Sequence, residues 1–324
     1  MRVSGPRAVE MKTSSHSVSS LRLGVFLVAL ICGPAVPAHE GPEHEIETLT
    51  AFMARRGPTP LLLLNRAGEF ETLGQFNRAI ADLQAALKLD AKFSSALIEL
   101  SRIHLGQGQT AAALVEVNRA LELVPIKSVR ASLHILRAEI RVAQGRDELA
   151  LADCERAFQG QPGQIEWFLL RSQIQARLGQ LDACAAGLKA GFEQTQSAVL
   201  ETQWIEALID AGRSREALAL IEPQLAESRL KSSWLLRRAR AHRALGEECE
   251  IDLHGVLEEL NRRINPRAPD LTLLADRGLA FALLGKRAEA EKDLAEAKKR
   301  GAESWVVRRL EKILAESARV ASLR

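Results

Sequence analysis

The sequence contains no tyrosine, and its aromatic residues amount to only 4%. A surface that stacks nucleic-acid bases needs such rings, so base stacking is a poor reading. Cysteine is scarce as well: four in 324 residues are far too few for a disulfide-built scaffold. A lasting excess of charge of one sign is also missing. Residues 1–38 hold four basic groups against one acidic and so account for the net charge of +3, leaving 40 basic and 40 acidic residues in the remainder. That balance argues against nucleic acid or an anionic membrane surface as the partner of the main chain. There is no nucleophile motif, glycine-rich phosphate cradle or paired-carboxylate signature, and Gly106-Gln107-Gly108 follows no strand. The chain therefore reads as non-catalytic, with no cofactor and no small-molecule substrate. With 47% hydrophobic and 26% charged residues, the bulk is neither disordered nor a membrane bundle.

The positive charge sits at one end for a reason. Arg2, Arg7, Lys12 and Arg22 precede an apolar run, Leu23–Ile31, which Cys32-Gly33-Pro34 breaks before the small residues of Val36-Pro37-Ala38. This order of basic, apolar and small residues resembles a secretory signal peptide over residues 1–38, and Met11 is an alternative start. The apolar run is short for a bilayer span, so cleavage near Ala38 is expected and a retained membrane anchor is the alternative. The expected location is periplasmic or secreted.

Beyond residue 58 the dominant feature is a repeat. Gly74, Gly108, Gly145, Gly179, Gly212, Gly246 and Gly285 follow one another at gaps of 34, 37, 34, 33, 34 and 39 residues. Five residues after most of these glycines stands a small residue: Ala79, Ala113, Ala150, Cys184, Ala217 and Ala290. Four further on is Leu83, Val117, Cys154, Leu188, Ile221 or Leu294, and seven before the glycine another small or apolar residue recurs. Positions three and four apart share a helix face, so these are packing stripes on two short helices joined at a glycine turn.

This pattern resembles the tetratricopeptide repeat family, carried in the first unit by Leu63, Ala67, Phe70, Gly74, Ala79, Leu83 and Ala86, with Pro125 and Pro162 closing two later units. The resemblance implies an all-α, right-handed solenoid of about seven helix-turn-helix units, spanning residues 59–302. The units are expected at about 60–93, 94–130, 131–164, 165–197, 198–231, 232–270 and 271–302. Unit six departs most, because Ile251 and Gly255 stand where alanine and phenylalanine are expected, and its second helix is expected to be longer or shifted toward Pro266. Residues 39–58 form an N-terminal segment with a short helix over Ile46–Met53, and Thr59-Pro60 opens the array with a side-chain cap and a proline at the first helical position. Residues 303–324 form a capping helix and tail. Trp305, Val306, Leu310, Ile313 and Leu314 make its apolar stripe, and Arg308, Arg309, Glu311 and Lys312 cover its other side.

Arginine recurs eight residues before the glycine, as Arg66, Arg137, Arg171, Arg238 and Arg277. In three of those units an aspartate lies eight residues after it, as Asp82, Asp153 and Asp293. Pairing across the two antiparallel helices is the expected role; a ligand-reading ladder is the alternative.

First-helix residues line the inner side of the solenoid in the family. By offset from each glycine, the groove positions are Asn65, Ile98, Glu99, Arg102, Ile135, Glu139, Leu169, Gln173, Arg177, Gln203, Glu206, Asp210, Arg237, Arg240 and Arg243, with Glu69 nearby. Of these, Asn65, Ile98, Arg102, Glu139, Arg177, Arg237, Arg240 and Arg243 are the candidate partner-binding residues. Arg237, Arg240 and Arg243 share one helix face: they either hold an acidic peptide or, in the case of Arg240 and Arg243, neutralise Glu206 and Asp210 on the neighbouring helix. The implied function is a protein–protein interaction scaffold of the cell envelope, with a protein or peptide in its groove. A second reading rests on His39, Glu40, Glu43 and His44, whose side chains and a new amino terminus offer copper or zinc ligands. His104 and His242 take the tyrosine-like packing position of the repeat. Cys154 and Cys184 are expected to be buried in neighbouring second helices, where an oxidising compartment would permit a bridge.

Overall fold

The computed structural model describes residues 41–322. The leader, His39 and Glu40 lie outside the described residues, as does the Trp305 side chain. Sixteen helices and no strand occur among the described residues. α1 (Pro42–Arg56) precedes seven helix pairs. These are α2 (Pro60–Thr72) with α3 (Phe76–Leu89), α4 (Ser94–Gly106) with α5 (Thr110–Leu123), α6 (Lys127–Ala143) with α7 (Asp147–Gly160), and α8 (Ile165–Arg177) with α9 (Leu181–Thr195). They continue as α10 (Ala198–Asp210) with α11 (Ser214–Glu227), α12 (Ser232–Leu245) with α13 (Glu250–Arg263), and α14 (Leu271–Leu283) with α15 (Arg287–Lys299), before α16 (Ser304–Ser322).

The turns follow from the glycines. All seven punctuating glycines adopt φ between +69° and +75°, a conformation that costs a residue with a Cβ and that ends each first helix. The Thr59 hydroxyl accepts from the Leu62 amide at 3.3 Å and Pro60 occupies the first turn, as the sequence predicts. Small residues then let the paired axes approach: Ala79, Ala113, Ala150, Ala217 and Ala290 are fully buried. α1 begins four residues earlier than the predicted helix, at Pro42, with Glu43 and Glu45 in a first turn that favours negative charge.

Four of the five recurrent arginines brace their own unit through a forked ion pair. Arg66 meets Asp82 at 2.7 Å through both nitrogens, and Arg137–Asp153, Arg238–Asp252 and Arg277–Asp293 repeat the geometry at 2.6–2.9 Å. In unit four the aspartate position is Gly187, and Arg171 instead lies over the Phe158 ring, 4.2 Å from its centroid. Asp153 is fully buried and also receives Arg141 and Arg156. Burial alone would raise its carboxyl, but bonds from His134 and Arg137 and the flanking arginine charges hold it at about 2.

Unit six is shifted, not lengthened. Three residues separate Gly246 from α13 where one residue separates the glycine from the second helix in the other units. Asp252 meets Arg238 across 14 residues of chain, against 16 in the other three braces. The second helix has slid by two positions, so Leu253 and Val256 fill the core and Ile251, predicted at the alanine place, is 84% exposed. Packing from unit six into unit seven is continuous: Leu236, Leu253, Leu260, Leu274, Leu279 and Val307 share one cluster.

Cys154 and Cys184 are buried and unbridged. Burial pushes their thiols to about 12 and about 11, so neither is a reactive thiolate.

Candidate functional site

From α4 onward each first helix packs on the first helix of the next unit, while successive second helices make no comparable contact. The first helices are therefore the closely spaced inner row, and the residues they turn away from the second helices form the concave face. Two different environments occur along it.

In units two to four, three neighbouring helices present an apolar residue and, one turn later, a polar one. These pairs are Ile98 and Arg102 on α4, Ile135 and Glu139 on α6, and Leu169 and Gln173 on α8. Ile135 is buried and Ile98 and Leu169 are half-buried, whereas Glu139 and Gln173 are exposed and Arg102 is half-buried. Arg102 donates to Glu99 at 2.8 Å. Glu139 forms no hydrogen bond or ion pair among the described residues; the crowding of the inner face pushes its carboxyl up and the Arg102 charge offsets only part of that. Asn65 is exposed on α2, and Arg177 ends α8 in an ion pair with Asp147 at 3.0 Å.

In units five to seven the inner face is closed upon itself. Glu206 of α10 is buried and accepts from Arg240 of α12, while Arg237 of α12 and Arg309 of α16 approach the same carboxylate at 2.9 and 3.0 Å. Arg240 also reaches Asp210 at 3.1 Å. Burial alone would raise the Glu206 carboxyl; the arginines, Arg240 first, outweigh it and hold it at about 2. Asp276 of α14 faces the same network without a hydrogen bond or ion pair among the described residues. Burial and the charge of Glu206 push its carboxyl up to about 6 against the pull of Arg237 and Arg309. Arg243 takes another route and donates to the Leu283 carbonyl at the end of α14, 2.7 Å away. Of the predicted arginine face, Arg237 and Arg240 thus converge on Glu206, and Arg243 caps a helix end.

Arg309 and Asp276 are the members of this network that the sequence did not single out. Arg309 was expected on the outer side of the capping helix; instead it turns inward while Val307, Leu310 and Leu314 bury the helix against unit seven. Leu310 sits where a Cβ on Gly278 would approach within 2.7 Å, so that glycine makes room for α16. Asp276 had a signal, since it stands nine residues before Gly285 as Arg237 stands nine before Gly246.

The metal reading finds no support among the described residues. Glu43 and His44 are successive residues of α1 and point in different directions, and no group of three or more His, Cys, Asp or Glu side chains is placed to hold an ion. No described helix is long and apolar enough to cross a membrane.

The family model of the tetratricopeptide repeat matches residues 72–131. Curated proteins offer no match to the sequence. Among solved structures, a tetratricopeptide repeat protein from Parabacteroides merdae superposes with a TM-score of 0.58 at 19% identity, covering 79% of this chain and 98% of that one. The C-terminal part of a TPR repeat-containing protein from Cytophaga hutchinsonii gives 0.49 at 13% identity over 78% of this chain and 94% of its own. YrrB, described as a TPR protein with an unusual peptide-binding site, gives 0.46 at 17% identity over 65% and 98%. The first of these likenesses shows the fold, an all-α repeat solenoid.

Proposed function

We propose that this tetratricopeptide repeat protein is a non-catalytic scaffold of the cell envelope that binds a protein or peptide along the inner face of units one to four. One observation carries the reading: α4 and α8 each offer a half-buried apolar side chain beside a polar one that reaches solvent, with the exposed Glu139 of α6 between them, while the inner face of units five to seven is neutralised by its own ion pairs. A track of apolar anchors flanked by unsaturated polar groups is what a bound segment requires, since the anchors supply affinity and the polar groups fix register. Asn65 and Arg177 mark the two ends of that track. Arg237, Arg240 and Arg243 contribute by holding the second half of the array in shape, because Arg237 and Arg240 are ion-paired with Glu206 and Arg243 donates to the Leu283 carbonyl. The envelope assignment rests on the leader-like residues 1–38.

The test is affinity capture from envelope extract with three immobilised proteins: the wild type, the triple variant Arg102→Ala/Glu139→Ala/Gln173→Ala, and Ile251→Ser as an outer-side control. The expected result is a set of proteins retained by the wild type and the control and lost by the triple variant at unchanged circular dichroism. Equal retention by all three removes the groove from consideration.

A further inference from the structure

The groove reading leaves open what chemistry a partner must bring, and a comparison between two glutamates answers it. Glu139 and Glu206 stand at the same place in their units, six residues before Gly145 and Gly212. Around Glu206 the position is filled: Arg240, at the same place in the next unit, and Arg237 and Arg309 all converge on its carboxylate. Around Glu139 it is not. The next unit offers Gln173, which carries no charge, and the preceding unit offers Arg102, which donates to Glu99 at 2.8 Å. Arg137 and Arg141, on the same helix as Glu139, are committed to Asp153 on its other side, and Arg177 to Asp147. Glu139 is thus an exposed carboxylate with no hydrogen-bond or ion-pair partner among the described residues, set one turn from Ile135 and between Ile98 and Leu169.

We propose that the segment bound in this groove presents a lysine or arginine to Glu139 and seats flanking apolar side chains on the half-buried Ile98 and Leu169. The inference rests on the groove reading and gives its occupant a sign of charge. The fold supplies the precedent, because a half-exposed guanidinium, that of Arg309, already reaches the equivalent carboxylate from a helix outside the repeat pairs. The electrostatics agree. The crowded inner face leaves the Glu139 carboxyl raised, whereas cations at the equivalent place bring Glu206 down to about 2. An incoming cation would complete the compensation that the charge of Arg102, tied to Glu99, supplies only in part, whereas an incoming carboxylate would add like charge to it.

Four pools of synthetic twelve-residue peptides test this. Each pool has Leu, Ile, Val or Phe at the positions flanking a central residue fixed as Lys, Arg, Glu or Gln. Binding of fluorescein-labelled pools to the full chain is read by anisotropy. The Lys and Arg pools should bind about tenfold more tightly than the Glu pool, the difference expected of one charge-assisted contact. Glu139→Gln should erase the preference and Glu139→Lys should reverse it in favour of the Glu pool. Equal binding by all pools, a preference for the Glu pool in the wild type, or a preference unchanged in Glu139→Lys overturns the proposal. If equal binding is abolished by Leu169→Asp, the groove reading survives and only the basic occupant falls. If no pool binds, the basic occupant falls as well, and the extract capture decides the groove separately.

Discussion

Replacing Glu206 with glutamine should loosen the carboxy-terminal half of the array while leaving the amino-terminal half intact. The Glu206 carboxylate is held at about 2 against an ordinary 4.5, although burial by itself pushes it the other way. At 1.36 kcal/mol for each unit of pKa, the ionised form contributes about 3 kcal/mol, at the lower end of the roughly 3–5 kcal/mol seen when one member of a buried ion pair is removed. Glutamine keeps the shape and one acceptor but removes the carboxylate on which Arg237, Arg240 and Arg309 converge, leaving Asp210 and the raised Asp276 carboxyl to face three cations. Urea unfolding followed by tryptophan fluorescence is the direct assay, since Trp204 and Trp234 lie on α10 and α12, the helices that carry the network. With a denaturant slope of about 3 kcal/mol/M, the transition of that half should move down by about 1 M at pH 7. The pH dependence has a definite sign. A carboxyl lowered in the folded state contributes its full stabilisation above the unfolded value near 4.5 and loses it as pH falls toward 2. The wild type and Glu206→Gln should therefore converge over that interval. Adding Arg309→Ala to Glu206→Gln should restore part of the loss by removing one unpaired cation. An unchanged urea midpoint for Glu206→Gln at pH 7, or a difference that persists undiminished at pH 2, refutes this account of the network.

Asp276 makes the opposite prediction in the same place. Its carboxyl is raised to about 6 from an ordinary 3.8, so its ionised form costs about 3 kcal/mol at neutral pH, and that cost is relieved as pH falls from 6 through 3.8. Asp276→Asn should stabilise the protein at pH 7.5 and be neutral at pH 3.5 in thermal melts; destabilisation at pH 7.5 would show that the carboxylate is paired after all. The register of unit six is open to a simpler check by two substitutions two residues apart. Ile251→Ser should lie within about 0.5 kcal/mol of the wild type, and Leu253→Ala should cost about 2–5 kcal/mol in chemical unfolding. The reverse order would restore the glycine-anchored register.

What the sequence discloses and what it hides divide along the range of the contacts involved. The seven turns, the alanine stripes and the braces from Arg66, Arg137 and Arg277 were legible because each is complete within one unit, and repetition turned a weak local signal into a strong one. The brace of unit six is present in the letters too, as Arg238 and Asp252, but counting from Gly246 conceals it. Its turn is longer and its second helix enters at a later point of the pattern, so the glycine there punctuates without fixing the register of α13. Of the closed inner face only the step between neighbouring helices was legible: Arg240 meets Glu206 and Asp210 as the helix-face spacing allowed, while Arg243 goes to the Leu283 carbonyl instead. The rest was hidden: Arg309 reaches Glu206 across 103 residues and Arg237 joins the same carboxylate, and no spacing rule couples α16 to α10. Only the stacking of the intervening units brings those helices within reach. The same stacking leaves Glu139 bare, because the next unit carries Gln173 where Arg240 meets Glu206. A residue's place in the repeat tells which way it points. Whether it is engaged within the fold or left for a partner depends on its neighbours at the same place in the adjoining units.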